Sequence, residues 1–260
     1  MFELLLNPII ASCLLSIAIG IIGTLMLVNR SHYIAASIAH GSYGGIGLAL
    51  YFGLPLLFST TIFALTLALF LAWITYQHKE RSDTLIGVIW AVGMSIGIIF
   101  TDLTPGYHTD LMSFLFGDIL TVPQSDIYFM MVTDGLLLLM IGLLYHRFLA
   151  IFYDREFAEL IGLRVKIIHT ILLLMMALTV VMSIRSVGLI LVIALFSIPP
   201  FIAEKFTQKL YQTMILASIL AVVFCLLGLF ASYHLDISAT PAIIMIAASA
   251  FFGVLLFKRN

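Results

Sequence analysis

Residues 31–78 read "SHYIAASIAHGSYGGIGLALYFGLPLLFSTTIFALTLALFLAWITYQH" and contain no Asp, Glu, Lys or Arg. A helix needs roughly 17–25 mostly apolar residues to cross a bilayer, so this one stretch holds two crossings, near 33–51 and 56–76. The pattern extends over most of the chain. Its 260 residues are 63% hydrophobic and 10% charged, with a mean hydropathy of +1.20; a soluble domain carries about 25% charged residues. Such a chain cannot hide its apolar surface from water by folding on itself, and it is an integral membrane protein. Its apolar runs are continuous rather than ten-residue alternations, which predicts helices and argues against an outer-membrane barrel. The expected fold class is an all-α polytopic bundle of about eight or nine transmembrane helices.

Cutting the chain at charged or turn-rich segments predicts further spans near 9–28, 85–101, 127–146, 167–184, 187–203, 211–231 and 241–257. The span at 187–203 is short and ends in Pro199-Pro200, which break a helix or demand partners for the freed carbonyls. The N-terminus lacks a basic segment before its first apolar run, so that run reads as a retained span rather than a cleaved signal. Cys13 and Cys225 fall inside spans with no CxxC pair, as small buried hydrophobes do. A formal net charge of −1 gives no hint of nucleic-acid binding.

Lys and Arg placement sets the orientation. "HKERSD" (78–83), the 147–166 connection with Arg147, Arg155, Arg164 and Lys166, "EKFTQK" (204–209), Arg30 and the tail Lys258-Arg259 belong in the cytoplasm. The opposite connections carry acids: Asp102, Asp110, Asp118, Asp126 and Asp236. Arg185 is the exception to this pattern. The N-terminus is expected outside and the C-terminus inside.

Two connections are more than turns. In "DLTPGYHTDLMSFLFGDILTVPQSD" (102–126) the apolar piece is too brief to cross, which predicts a re-entrant or broken helix on the outer side, its backbone covered by protein. In "FYDREFAELIGLRVK" (152–166), Asp154 is placed as an N-cap, Phe157, Leu160 and Ile161 share one helical face, and Gly162 ends the helix. A helix near 154–165, just outside the membrane, suits either docking to a cytosolic partner or resting on the lipid interface.

His40 stands inside a span, with Ala36 one turn before it on the same face and glycines at 41, 44, 45 and 47. An ionisable residue in the membrane marks a functional site when it faces a cavity or the bundle interior, and imidazole is the commonest side-chain metal ligand. The other reading is a histidine hydrogen-bonded between helices. Asp134, about two turns into its span, must face a pore, an interface or a hydrogen-bond partner. Tyr43 and Trp90 read as packing or interfacial belt, and His78, His146 and His169 as solvated at cytoplasmic ends. The chain has no GxxxxGK[ST] phosphate loop, no HExxH pair and no GxSxG elbow, so no catalytic residue is expected.

Several segments together resemble the membrane-spanning permeases of bacterial ABC importers for zinc, manganese and iron(II). "SIAHGSYGGIGLAL" resembles the family pattern D-A-L-S-H-A-x-L-P-G-x-A-L; "TPGYHTDLMSFLFGDILTV" resembles a short helix before F-G-x-I-L. "YDREFAELIGL" is similar to the coupling segment D-x-E-x-A-x-x-x-G, which places Asp154, Glu156, Ala158 and Gly162, with Phe157 and Leu160 between them, at an ATPase contact. "VGLILVIALFSIPPFIAEKFT" and "SYHLDISATPAIIM" resemble V-G-x-L-L-V-x-A-L-L-I-I-P-A-A-x-A-R-L and S-Y-x-L-D-x-P-x-G-x-x-I. The matches follow one another in order from about Arg30 to the C-terminus.

The resemblance implies a single permease domain over 1–260, of type II importer architecture, in a bacterial inner membrane. It implies a homodimer with two cytosolic ATPase subunits that hold the ATP, and an extracytoplasmic metal-binding protein. No permanently bound cofactor is implied; the metal is the cargo. His40 matches the histidine of the metal path, but the family aspartate four residues earlier is Ala36 and its proline is Gly44. Either Asp134, Asp118 or Asp110 supplies the missing oxygen, or His40 from both subunits suffices. Losing a hard oxygen ligand tilts the expected cargo toward zinc over manganese or iron(II). A proton-coupled carrier using His40 and Asp134, and a metal-chelate or siderophore permease, are the competing readings.

Overall fold

Long apolar runs with no water to bond their backbone must satisfy it internally, and helices do this within one segment. In the computed structural model, which describes residues 2–77, 82–105, 117 and 119–257, the chain forms α1 (Phe2–Val28), α2 (His32–Gly41), α3 (Tyr43–Phe52), α4 (Leu56–Gln77) and α5 (Ser82–Asp102). A 3₁₀ turn (Ile119–Thr121) leads into α6 (Gln124–Tyr153), then α7 (Arg155–Leu160), α8 (Val165–Phe206), α9 (Leu210–Leu235) and α10 (Ala239–Phe257). Seven of these helices are each long and apolar enough to cross a membrane. The predicted span at 33–51 is present as α2 and α3, separated only at Ser42, whose backbone keeps α-helical angles. Hydroxyls inside the spans bond back to the carbonyl four residues earlier, as Ser12, Thr24, Thr60 and Thr101 do, so they need no partner from another helix.

The expected spans 167–184 and 187–203 are two limbs of α8. Its 42 residues would run about 63 Å straight at ~1.5 Å per residue, twice the hydrocarbon thickness of ~30 Å. The chain breaks at Gly188, where φ 75 and ψ 165 is a region open essentially to glycine alone. The break therefore falls at Gly188 and not at the prolines: α8 continues through Pro199 and Pro200 to Phe206. Pro200 has no N–H for the Phe196 carbonyl. Gly23 of α1 makes room there, since a Cβ at that position would come within 2.8 Å of both the Phe196 oxygen and the Pro200 ring.

By its internal contacts the chain divides into two compact units, Met1–Arg30 with Leu111–Leu138 and Met182–Asn260, and Ser31–Asp110 with Leu139–Val181. In the first, α1 packs on α9, α9 on α10, and the 3₁₀ turn on α1 and α10. In the second, α5 and α4 pack on the α2–α3 pair. Many outward apolar side chains stay bare, among them Val88, Val92 and Ile99 on α5 and Leu138, Leu139 and Leu143 on α6. Lipid tails solvate such a surface as well as leucine does.

Candidate functional site

The second unit sets His40 in a crossing built on glycine. A Cβ on Gly93 of α5 would collide with the backbone of Gly41, and one on Gly97 with the backbone of Tyr43 and Gly44. The backbones touch because no side chain stands between them. The matched positions, Ser37 with Ile86, His40 with Trp90, Gly41 with Gly93 and Gly47 with Gly97, ascend together, so α5 runs parallel to α2–α3. On the other side Gly41 meets Leu67, Gly44 meets Phe63, and Ser59 Oγ donates to the Gly45 carbonyl at 3.1 Å, so α4 runs antiparallel. This is the order expected of consecutive crossings.

Within this crossing the His40 imidazole lies face to face with the Trp90 indole, centroids 3.9 Å apart and planes 20° from parallel. Its Nδ1 is buried with no hydrogen-bond partner among the described residues, as is the Tyr43 hydroxyl three residues on. Unpaired buried polar atoms cost about 1–3 kcal/mol each, and here two stand one helical turn apart. Asp134 of α6, in the first unit, is 4% exposed and neither carboxylate oxygen has a partner among the described residues. Ala36 is half-buried and offers no ligand. Asp110 and Asp118 lie outside the described residues, as does about half of the expected outer re-entrant segment. In its described part Gly117, at φ 60, lies against the backbone at Gly188, and Ile119 is fully buried. Among the described residues no three His, Cys, Asp or Glu groups are gathered as a metal cluster.

Two charges depart from the sequence reading. Asp126, expected among the acids of the outer connections, is buried, and Oδ2 accepts from Arg185 Nε at 2.9 Å. That ion pair explains the arginine that broke the charge pattern: it is neutralised in place, three residues before the Gly188 break. Thr240 Oγ1 holds the same segment by donating to the Val187 carbonyl at 3.3 Å. His169 is likewise not solvated; it is half-buried, with Nε2 3.0 Å from Thr75 Oγ1.

At the end assigned to the cytoplasm, Asp154 caps α7 by accepting from the Phe157 N–H at 2.9 Å. Gly162, at φ 84, closes it, with Leu163 N–H bonding to Ala158 O and Gly162 N–H to Glu159 O, the paired bonds of a Schellman motif. The helix stops at Leu160, short of the 154–165 expected, because glycine takes that left-handed position freely. Ala158 is fully buried, whereas Phe157, Leu160 and Ile161 are exposed, Leu160 by 85%. Glu156 and Glu159 are exposed, the latter paired with Arg155 at 3.5 Å. Arg155 and Lys166 both stand over the Tyr76 ring at the end of α4, 4.9 and 5.9 Å from its centroid.

These features define a multi-pass helical membrane protein with a short, largely exposed helix at Arg155–Leu160. The chain belongs to the ABC 3 transport family, whose model matches residues 1–258, and is a bacterial inner-membrane protein. It is 45% identical to an uncharacterized membrane protein of Synechocystis (99% of this chain, 92% of the relative). It is 34% identical to a probable metal transport system membrane protein of Chlamydia trachomatis (99% and 90%) and 28% identical to a manganese transport system membrane protein of Listeria monocytogenes (98% and 91%). Among solved structures it is similar to a chain of PsaBC from Streptococcus pneumoniae in complex with Fab, with a TM-score of 0.86 at 28% identity over 97% of this chain and 91% of that one. Zinc, expected from the missing carboxylate at position 36, finds no support among these relatives.

Proposed function

We propose that the chain is the permease of an ATP-driven importer for a divalent metal ion, with manganese as cargo. Two copies form the pathway as one permease domain each, two cytosolic ATPase subunits dock on the α7 segments, and an extracytoplasmic binding protein delivers the metal. The family match over nearly the whole chain carries this reading, and the manganese transport protein among the relatives favours that metal.

The site chemistry is compatible with such a cargo. A passing ion needs contacts strong enough to replace part of its hydration and weak enough to release it. His40 offers one neutral nitrogen, with the Tyr43 hydroxyl a turn away. The hard oxygen that manganese prefers and Ala36 does not give comes, on this reading, from Asp134, Asp110 or Asp118, or His40 of both copies suffices. Phe157, Leu160 and Ile161 enter the ATPase contact, framed by Asp154, Glu156, Ala158 and Gly162. The grip of Arg155 and Lys166 on Tyr76 joins that contact to α4, and α4 reaches the glycines beside His40. A proton-coupled carrier has no use for an apolar helix held outside the bilayer.

The test is metal uptake in cells with and without this chain. Radiolabelled manganese should enter only with the chain present, and excess unlabelled manganese should suppress its entry far better than equal zinc. Stronger suppression by zinc would reverse the assignment of cargo.

A further inference from the structure

Trp90 has no part in the reading so far, yet its ring is stacked on the candidate metal contact. Its own position is doubly fixed. The indole Nε1–H donates to Met94 Sδ at 3.2 Å, and the backbone three residues on, at Gly93, abuts Gly41 with no side chain between them. An indole held this way fixes the plane of the imidazole stacked on it, and therefore the direction in which the ring nitrogens point. The indole face also carries the negative end of an aromatic quadrupole, which attracts positive charge most strongly where water is excluded. An imidazole that coordinates a dication becomes electron-poor and gains from that face; a free neutral imidazole gains less.

We propose that Trp90 is a positioning residue of the metal path: it orients the His40 ring and strengthens that ring's hold on a divalent cation. This rests on the reading that His40 touches the cargo. Trp90 needs no contact with the metal itself. Its effect belongs in the apparent affinity for the ion rather than in the rate of the transport cycle.

Two measurements test it. In uptake assays Trp90→Phe, which keeps an aromatic face, should leave the KM for manganese within about twofold of the wild type. Trp90→Leu, apolar but without that face, should raise KM by about five- to tenfold at little-changed maximal rate. The chain has two tryptophans, Trp73 and Trp90, so the purified full chain carrying Trp73→Phe reports Trp90 alone. Manganese should produce a saturable change in its emission, abolished by His40→Ala. An unchanged KM in Trp90→Leu with emission insensitive to manganese overturns this inference, and so does a fall in maximal rate with no change in KM, the mark of a purely structural residue. If those results come with His40→Ala inactive, the metal-path reading survives; if His40→Ala transports normally, both fail.

Discussion

The two ends of α6 invert the usual arrangement in opposite ways. At its start a carboxylate is buried: Asp126 is 4% exposed, sealed against Arg185. At and beyond its other end apolar side chains stand bare: Tyr153 is 93% exposed and Leu160 85%. The buried pair is complete, since each charge has the other. The bare helix is incomplete, since a capped and closed turn has been built to hold Phe157, Leu160 and Ile161 away from their own chain. One end fixes the fold and the other presents a surface.

The sharpest way to break this contrast is at the bare end. Leu160→Asp places a charge in a contact that must be desolvated on docking, a large penalty when unpaired. The chain should still insert in the membrane, and the ATPase should no longer co-purify with it. Retention of the ATPase with full metal-stimulated ATP hydrolysis would mean that α7 is not the docking element. Next in size is the buried end. Asp126→Ala strands Arg185 and should cost about 2–3 kcal/mol, less than a fully buried pair because Arg185 keeps some exposure. Adding Arg185→Met should restore most of that loss, as read from thermal unfolding in detergent; no recovery would show that the two residues act separately. Smallest is the cap. Asp154→Ala should loosen α7 by about 1 kcal/mol, visible as faster amide exchange at Phe157 and weaker ATPase binding, with insertion and overall stability unchanged.

The sequence reading succeeded where one local property decides the outcome. Hydropathy located the spans, and the Asp154 cap and Gly162 stop of α7 were readable because both act within a few residues. It failed where distant segments meet. Asp126 and Arg185 each looked like a loop charge, because nothing local reveals that a far acid and base share one buried site. Pro199-Pro200 looked like an end, because the room Gly23 gives the Phe196 carbonyl and the Pro200 ring comes from another helix. The break at Gly188 left a trace in the two spans expected on either side of it, yet a lone glycine in an apolar run carries no mark of its φ. His40 stood out as the histidine inside an uncharged span, whereas its partner Trp90 was one aromatic among many.

The central claim is that His40 meets the cargo. The direct measurement is the initial rate of radiolabelled manganese uptake by His40→Ala and wild type, compared at equal amounts of membrane-inserted, ATPase-bound protein. The account predicts a fall of about tenfold or more in the variant with assembly intact. A variant that imports manganese at the wild-type rate would contradict it, reducing His40 to a packing residue and leaving Asp134 as the next candidate on the path.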